Sequence, residues 1–435
     1  MPKQIAFLTL GCAKNEVDSA QMQEDLVRAG FEIVDIESSY DALVINTCAF
    51  IQPAIEESID TILDAAALES ISTGKTKLIV AGCLPSRFGK ELESELSEVS
   101  AFVPCNEEDS LVEVLFSLFP NAERKSRIVE FEYAPSEYVK ISDGCSRRCA
   151  FCTIPLIRGP YHSFSFESIR NDVITKIQGG AKEIVLIAQD SGIWGLDLSP
   201  RETLASLLER LATEFSNTWF RVLYLQPAGI TDELMRVMAT YDNICNYLDI
   251  PLQHCDPTIL KTMNRSGSYD EFMDMISRLR SRIPDITLRT TLIVGYPGET
   301  DAQFDALCDF VENAEFDYVG VFAFSPEEGT VAATLPDQID EETKQDRLQT
   351  IRDIADAVSS QKIAQRIGKH EKLLVLGTEE DGQLFGRCPS QAPEVDGVTY
   401  IDQGEIGHSL HNRRYFAIRD GGISCLILLI QNRLY

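Results

Sequence analysis

Short apolar runs alternate with amphipathic stretches along this chain, and the alternation changes character twice. Over roughly the first 130 residues, segments 3–10, 42–46 (ALVIN) and 76–81 (TKLIVA) read as buried strands. Between them, residues 15–29 place Val17, Met22, Leu26 and Val27 at helical spacing and stop at Gly30. Residues 55–67 form a second helical pattern with Glu56 and Glu57 near its start, where the helix dipole favours acid. Repeated strand–helix–strand units predict a doubly wound, mostly parallel sheet. A second series begins near Tyr133. Its six strand candidates, 139–142, 183–188, 220–225, 247–250, 287–294 and 318–324, are separated by helical segments such as 166–177, 202–212, 270–282 and 301–314. Repeats of this kind predict an open (β/α) barrel. A long helix over 340–367 ends at Gly368. Beyond it, 371–407 reads as short strands with turns at Asp381-Gly382 and Asp396-Gly397, a small all-β unit. The expected organisation is an α/β chain of three domains, 1–130, 131–366 and 367–435.

Composition narrows the function. The chain has 435 residues, 44% hydrophobic and 25% charged, which excludes a disordered tail, a fibrous repeat and a disulfide-stapled miniprotein. Its longest uncharged apolar run, 424–430 (SCLILLI), is too short to span a bilayer. Asp and Glu number 68 against 39 Lys and Arg, a net charge of −29. Such a chain is a poor general binder of nucleic acid, whose phosphates need Lys and Arg, and suits a basic partner. The apolar stretch 5–10 ahead of Cys12 is shorter than the core of a secretion signal. The cytoplasm is therefore the expected location, a reducing place where thiols stay free.

The chemistry lies in the cysteines. Three of the 12 crowd into Cys145-Ser146-Arg147-Arg148-Cys149-Ala150-Phe151-Cys152, at spacing C-x3-C-x2-C after the first barrel strand. Thiolates are the natural ligands of iron–sulfur clusters. Three ligands on a four-iron cluster leave one iron open to chelate the amino and carboxylate groups of S-adenosylmethionine. A zinc site with a fourth ligand elsewhere is the alternative, although His162 stands at no familiar zinc spacing. Cys12, Cys48 and Cys83 each follow one of the first three strands. Open α/β sheets build ligand sites outside the carboxyl ends of their strands, so these three can converge on a second three-thiolate site. Three buried thiols of an ordinary core are the competing reading.

CSRRCAFC after YVKISDG resembles the radical S-adenosylmethionine superfamily. The resemblance implies a 4Fe-4S cluster on Cys145, Cys149 and Cys152, with Phe151 near the adenine. The segment TTLIVGYPGET (residues 290–300) resembles the strand that contacts the adenosine, through Val294 and Gly295. TLGCAKNEVDS, VINTCAFI and AGCLPSR resemble the N-terminal domain of the methylthiotransferase family. That resemblance implies a second 4Fe-4S cluster on Cys12, Cys48 and Cys83, which presents the sulfur to be transferred. The family has a branch that modifies tRNA adenosines and one that modifies the β-carbon of an aspartate in ribosomal protein S twelve. Lys14 stands where the tRNA branch tends to carry Met. IRGP, YLDIPLQH, VGVFAFSPEEGT and GRCPSQAPEVDG all resemble the ribosomal-protein branch. The C-terminal unit resembles a TRAM domain, which docks RNA in the tRNA branch. Here residues 367–410 hold eight acidic residues and three basic ones, a balance that repels phosphate and suits a basic ribosomal protein. The implied partners are thus ribosomal protein S twelve and an electron donor, with no membrane and with tRNA disfavoured; a tRNA-modifying enzyme of the same family, or a non-catalytic metal-binding adaptor for RNA or the ribosome, is the alternative.

Two stretches depart from the family. Residues 408–435 match its closing strands poorly, which puts closure of the small β-barrel in question, and Cys255 follows His254 where a small residue is usual. Cys255 reads as a packing thiol, as do Cys105, Cys245, Cys308, Cys388 and Cys425. Arg147 and Arg148 could tune the cluster or meet an acidic loop, and Glu327 and Glu328 could meet substrate, but all four read first as solvent-facing; His254 reads as a core histidine or a barrel lining.

Overall fold

The computed structural model describes residues 2–401, 409–414 and 427–428. The N-terminal unit contains β1 (Gln4–Thr9), α1 (Ala13–Ala29), β2 (Glu32–Val34), β3 (Ala42–Thr47), α2 (Gln52–Ala66), α3 (Glu69–Ser72), β4 (Lys77–Gly82), α4 (Cys83–Glu95), β5 (Ala101–Pro104) and α5 (Leu111–Leu118). Its five strands are all parallel, in the order β2-β1-β3-β4-β5. The sheet is doubly wound, as its alternating side chains require. Leu43, Ile45, Leu78 and Val80 pack on α2 and α4 through Ile55, Ile62, Leu84 and Leu92. Val44, Ile79 and Ala81 pack on α1 and α5 through Met22, Leu26, Leu111 and Leu115. Every residue of β3 is buried, which is why it reads as one apolar run.

The central unit comprises β6 (Ser136–Lys140), β7 (Ser142–Asp143), α6 (Ile154–Ile157), β8 (His162–Ser163), α7 (Phe166–Gln178), β9 (Glu183–Ile187), α8 (Leu204–Glu214), β10 (Trp219–Val222), α9 (Asp232–Thr240), β11 (Tyr247–Asp249), α10 (Pro257–Thr262), α11 (Tyr269–Arg282), β12 (Thr287–Val294), α12 (Asp301–Ala314) and β13 (Tyr318–Ala323). Parallel pairing runs β6-β9-β10 and β11-β12-β13, and a parallel bridge from Phe220 to Ile244 joins the two halves. The six strands thus follow chain order as an open barrel. Alternate residues of β9 show how it is filled: Ile184 and Leu186 face the surrounding helices, whereas Val185 and Ile187 share a cluster with Ala13, Val17, Leu374 and Ala392. α1 and the C-terminal unit therefore plug the concave side that two further strands would otherwise close. The expected strand over 139–142 divides: β6 ends at Lys140, and β7 leaves it to pair antiparallel with β8.

α13 (Glu341–Ala364) is capped by the Asp340 carboxylate, which accepts from the Thr343 N–H at 2.9 Å. It leads to β14 (His370–Thr378), β15 (Leu384–Arg387), β16 (Val398–Ile401), β17 (Ser409–Arg414) and β18 (Ile427–Leu428). These form an antiparallel sheet in the order β17-β14-β15-β16-β18. Parts of the atypical final stretch therefore do join the sheet, β17 beside β14 and β18 beside β16. Cys425 lies outside the described residues. Among the described residues no helix is long and apolar enough to cross a membrane.

Candidate active site

Cys12, Cys48 and Cys83 stand just past the carboxyl ends of β1, β3 and β4. These strands are neighbours in the sheet, so the three residues share one edge. Gly11 makes the closest approach possible. Its φ is 101°, and a Cβ there would lie 2.8 Å from Cβ of Cys48. Cys48 and Cys83 are buried, and Cys12 is exposed toward the barrel. Burial lifts the Cys48 thiol to about 12, and the nearby Cys83 and Cys12 sulfurs add to the rise. Cys83 is raised by its hydrogen bond with Cys105 and by burial. Cys105, read as a packing thiol, is thus a fourth sulfur at this edge, with Ser86 Oγ at 3.1 Å.

The second triad lies on the barrel loop after β7. Gly144, at φ 71°, admits the turn into Cys145, since a Cβ there would meet the Pro160 carbonyl oxygen at 2.3 Å. The loop is held by the backbone: Cys145 N–H donates to Gly159 O at 3.1 Å, Ala150 N–H to Met263 O at 3.0 Å, and Ala332 N–H to Ala150 O at 2.8 Å. Burial pushes the Cys152 thiol up to about 12, with Cys149 and Cys145 adding to the rise, and burial also raises Cys145. Among the described residues no three His, Cys, Asp or Glu side chains are placed to hold a single ion.

The two triads face one another. Thr153, next after Cys152, donates through Oγ1 to the carbonyl of Phe50 at 3.0 Å, two residues past Cys48. Arg158, on the same segment, reaches 3.9 Å from the Cys83 sulfur, and Arg265 reaches 3.9 Å from that of Cys149. Arg158 and Lys140 both donate to Asp18 of α1, Arg158 at 2.7 Å, and Arg158 also meets Asp143 at 3.2 Å. Burial alone would raise Asp143, but Arg158 and Lys140 outweigh it and hold the carboxyl below its ordinary range. A second clamp joins the units. Glu327 accepts from the Gln52 N–H at 2.8 Å and from Arg87 at 3.2 Å, while Arg87 also reaches the Glu328 carbonyl at 2.9 Å.

Several expectations need correction here. Glu327 is buried at 3% exposure and not solvent-facing. Arg147 pairs with the buried Asp190 at the end of β9 and is not simply solvated. His254 is fully buried, with Nδ1 accepting from the Asp256 N–H at 2.9 Å, in line with the core reading. Among the proposed cofactor contacts, Phe151 is half-buried beside Ala150, Tyr296 and Phe324. The Val294 side chain lies in the main core, and the Gly295 N–H donates to the buried Glu299.

The mouth of the barrel also carries acceptors without partners. Asp190 Oδ1, Gln189 Oε1 and Gln226 Oε1 are buried and unpaired among the described residues, beyond the ends of β9 and β10. Buried acceptors of this kind need donors. The hydroxyl and amino groups of S-adenosylmethionine would supply them. Thiols on both sides, one of each triad near a guanidinium, suit anionic iron–sulfur clusters. The donor sets therefore fit the groups that the sequence implies.

Comparisons with known proteins agree. Residues 139–311 match the radical SAM superfamily, 4–104 a family described as uncharacterized protein family UPF0004, and 367–411 the TRAM domain. The ribosomal protein uS12 methylthiotransferase RimO of Natranaerobius thermophilus is 40% identical over 417 residues, covering 92% of this chain and 94% of its own. That of Syntrophus aciditrophicus is 41% identical over 421 residues, 92% of each chain. This chain belongs to the ribosomal protein uS12 methylthiotransferase family. As a member of that family it is a radical SAM enzyme that transfers methylthio groups. Solved structures similar to this methylthiotransferase share its fold. TsrM of Kitasatospora setae, a radical S-adenosylmethionine methyltransferase with cobalamin and a 4Fe-4S cluster bound, has a TM-score of 0.56 at 14% identity, covering 76% of this chain and 77% of that one. The cobalamin-dependent enzyme OxsB has a TM-score of 0.52 at 13% identity, covering 82% and 56%.

Asp18, Lys140, Arg158 and Asp190 are the site residues that sequence reasoning missed, and Glu327 is the one it misread. Each is an ordinary charged residue in sequence. Its partner is far along the chain: 122 positions separate Lys140 from Asp18, and 275 separate Glu327 from Gln52.

Proposed function

We propose that this enzyme adds a methylthio group to the β-carbon of an aspartate of ribosomal protein uS12. Cys145, Cys149 and Cys152 hold one 4Fe-4S cluster, and Cys12, Cys48 and Cys83 hold the other. The observation that carries the reading is the joining of two thiol triads across one cleft, through Thr153 to Phe50 and through Arg158 to Cys83. Relatives that match over most of the chain bear the name of that activity. With S-adenosylmethionine, the bound clusters supply a radical able to take hydrogen from an unactivated carbon, and a sulfur to replace that hydrogen.

The chain's own residues bind, orient and balance charge. Arg158 and Arg265 offset the anionic thiolates of Cys83 and Cys149. Asp190, Gln189 and Gln226 would accept hydrogen bonds from the cofactor's polar groups, with Phe151, Val294 and Gly295 as the residues assigned to its adenosine. The clamps at Asp18 and Glu327 fix the separation of the two triads, which sets the distance between the carbon radical and the sulfur. The exposed acidic turn Glu379, Glu380 and Asp381 of the C-terminal sheet favours a basic ribosomal protein over tRNA. A ribosomal substrate places the reaction in the cytoplasm, and reductive cleavage needs an external electron donor.

The test is to change each triad to Ala in enzyme reconstituted without oxygen. Cys12, Cys48 and Cys83 to Ala should leave 5′-deoxyadenosine formation and abolish methylthio gain on uS12. Changing Cys145, Cys149 and Cys152 should abolish both. Full methylthio gain without the first triad would sink the assignment.

A further inference from the structure

Lys14 occupies the first turn of α1, two residues after Cys12, and points across the cleft. Its Nζ lies 4.1 Å from the centroid of the Tyr224 ring, just past the end of β10. Tyr224 has φ 64°, a left-handed conformation uncommon for an aromatic residue, and so the barrel backbone turns sharply to present this ring. The charged and titratable groups that face the ammonium are Cys12, Arg158, Asp143 and Asp18. Asp249 lies in reach from β11.

Every carboxylate in that set already has a cation. Asp18 accepts from Lys140 and, at 2.7 Å, from Arg158. Asp143 meets Arg158 at 3.2 Å, and Asp249 meets Arg289 at 3.3 Å. The half-buried Lys14 ammonium makes no ion pair or hydrogen bond among the described residues. A partly desolvated cation with no counter-ion is costly unless a ligand brings one. The Cys12 wall of the cleft therefore suits anions: a cluster on the triad brings one beside Lys14, and the ammonium also faces the cleft that a substrate anion enters.

We propose that Lys14 binds the carboxylate of the substrate aspartate and thereby selects for it. The proposal rests on the methylthiotransferase reading above. The carboxylate of S-adenosylmethionine is accounted for on the opposite wall, at the Cys145 triad. The substrate carboxylate is the other organic anion that the reaction brings in. Its carboxyl carbon is one bond from the β-carbon. Fixing it at Lys14 places that carbon beside the triad that presents the sulfur. An asparagine offers a neutral amide there and a nucleobase offers no anion, so the same contact that positions the substrate also discriminates.

The test pairs enzyme and substrate variants in a double-mutant cycle. Reconstituted wild type, Lys14→Met and Lys14→Arg each meet uS12 with the target Asp or with Asn in its place. Two readouts are taken: affinity by fluorescence anisotropy and methylthio gain by mass spectrometry. Wild type should lose about tenfold in affinity on the Asp-to-Asn change, the scale of one charge pair. Lys14→Met should bind both forms alike, within about twofold, and Lys14→Arg should restore part of the difference. Independent effects, with Lys14→Met still preferring Asp as wild type does, would overturn the proposal and point to the sulfur at the Cys12 triad as the ammonium's anion. Wild-type enzyme that leaves uS12 unmodified would fail the underlying reading, and the proposal with it.

Discussion

At the scale of single residues, the triads are prepared by burial and geometry more than by their own chemistry. The Cys48 and Cys152 thiols sit at about 12, so both are protonated at neutral pH before loading. Iron binds the thiolate, and each ligand must give up its proton. Below the pKa, each unit of pH raises the thiolate fraction about tenfold. Cluster assembly in the apo chain should therefore speed up as pH rises through the neutral range, with protons released to the buffer. Visible absorption during anaerobic reconstitution checks this; assembly that slows with rising pH would contradict it. The arginines matter for the same reason. Arg158 and Arg265 cannot be deprotonated, so they hold positive charge near the sulfurs at every pH where the enzyme works.

At the scale of elements, the site depends on how the N-terminal sheet is fastened to the barrel. Glu327 is the hub of one fastening, since its two carboxylate oxygens serve the start of α2 and Arg87 of α4. Glu327→Ala would leave a buried guanidinium short of its partner, at a cost on the order of 3–5 kcal/mol. The expected result is a lower melting temperature, with methylthio transfer falling more than 5′-deoxyadenosine formation. On the proposed assignment the radical site lies within the barrel, whereas transfer also needs the facing triad. Equal losses would show that the clamp supports stability alone. Much of this architecture was legible beforehand. β12 and α12 fall where the apolar period put them, over Thr287–Val294 and Asp301–Ala314. The short edge strands β2 and β5 were not expected, because three or four residues carry too little pattern. α4 was hidden by Pro85, which a helix tolerates in its first turn. Spacing alone singled out Cys145, Cys149 and Cys152, whereas strand ends left Cys12, Cys48 and Cys83 open between a second site and core thiols, and the family resemblance assigned them. Their counter-charges could not be named, because pairing across 75 positions, as between Cys83 and Arg158, or 116, as between Cys149 and Arg265, leaves no local pattern.

At the scale of the molecule, one sheet edge and one barrel mouth are fastened together at the Thr153–Phe50 and Arg87–Glu327 contacts. Tyr138 of β6 donates to Glu394 at 2.7 Å, and Arg387 of β15 meets Glu183 of β9 at 2.8 Å, so the C-terminal sheet is fixed to the barrel. A net charge of −29 works against phosphate and toward a basic protein. The central claim is therefore about the substrate. Its most direct test offers reconstituted enzyme, S-adenosylmethionine, sulfide and a reductant to uS12 in one tube and to unmodified tRNA in another, with mass spectrometry of both. The expected result is a methylthio group on one uS12 aspartate and none on tRNA. A methylthio group on tRNA with uS12 unmodified would contradict the account.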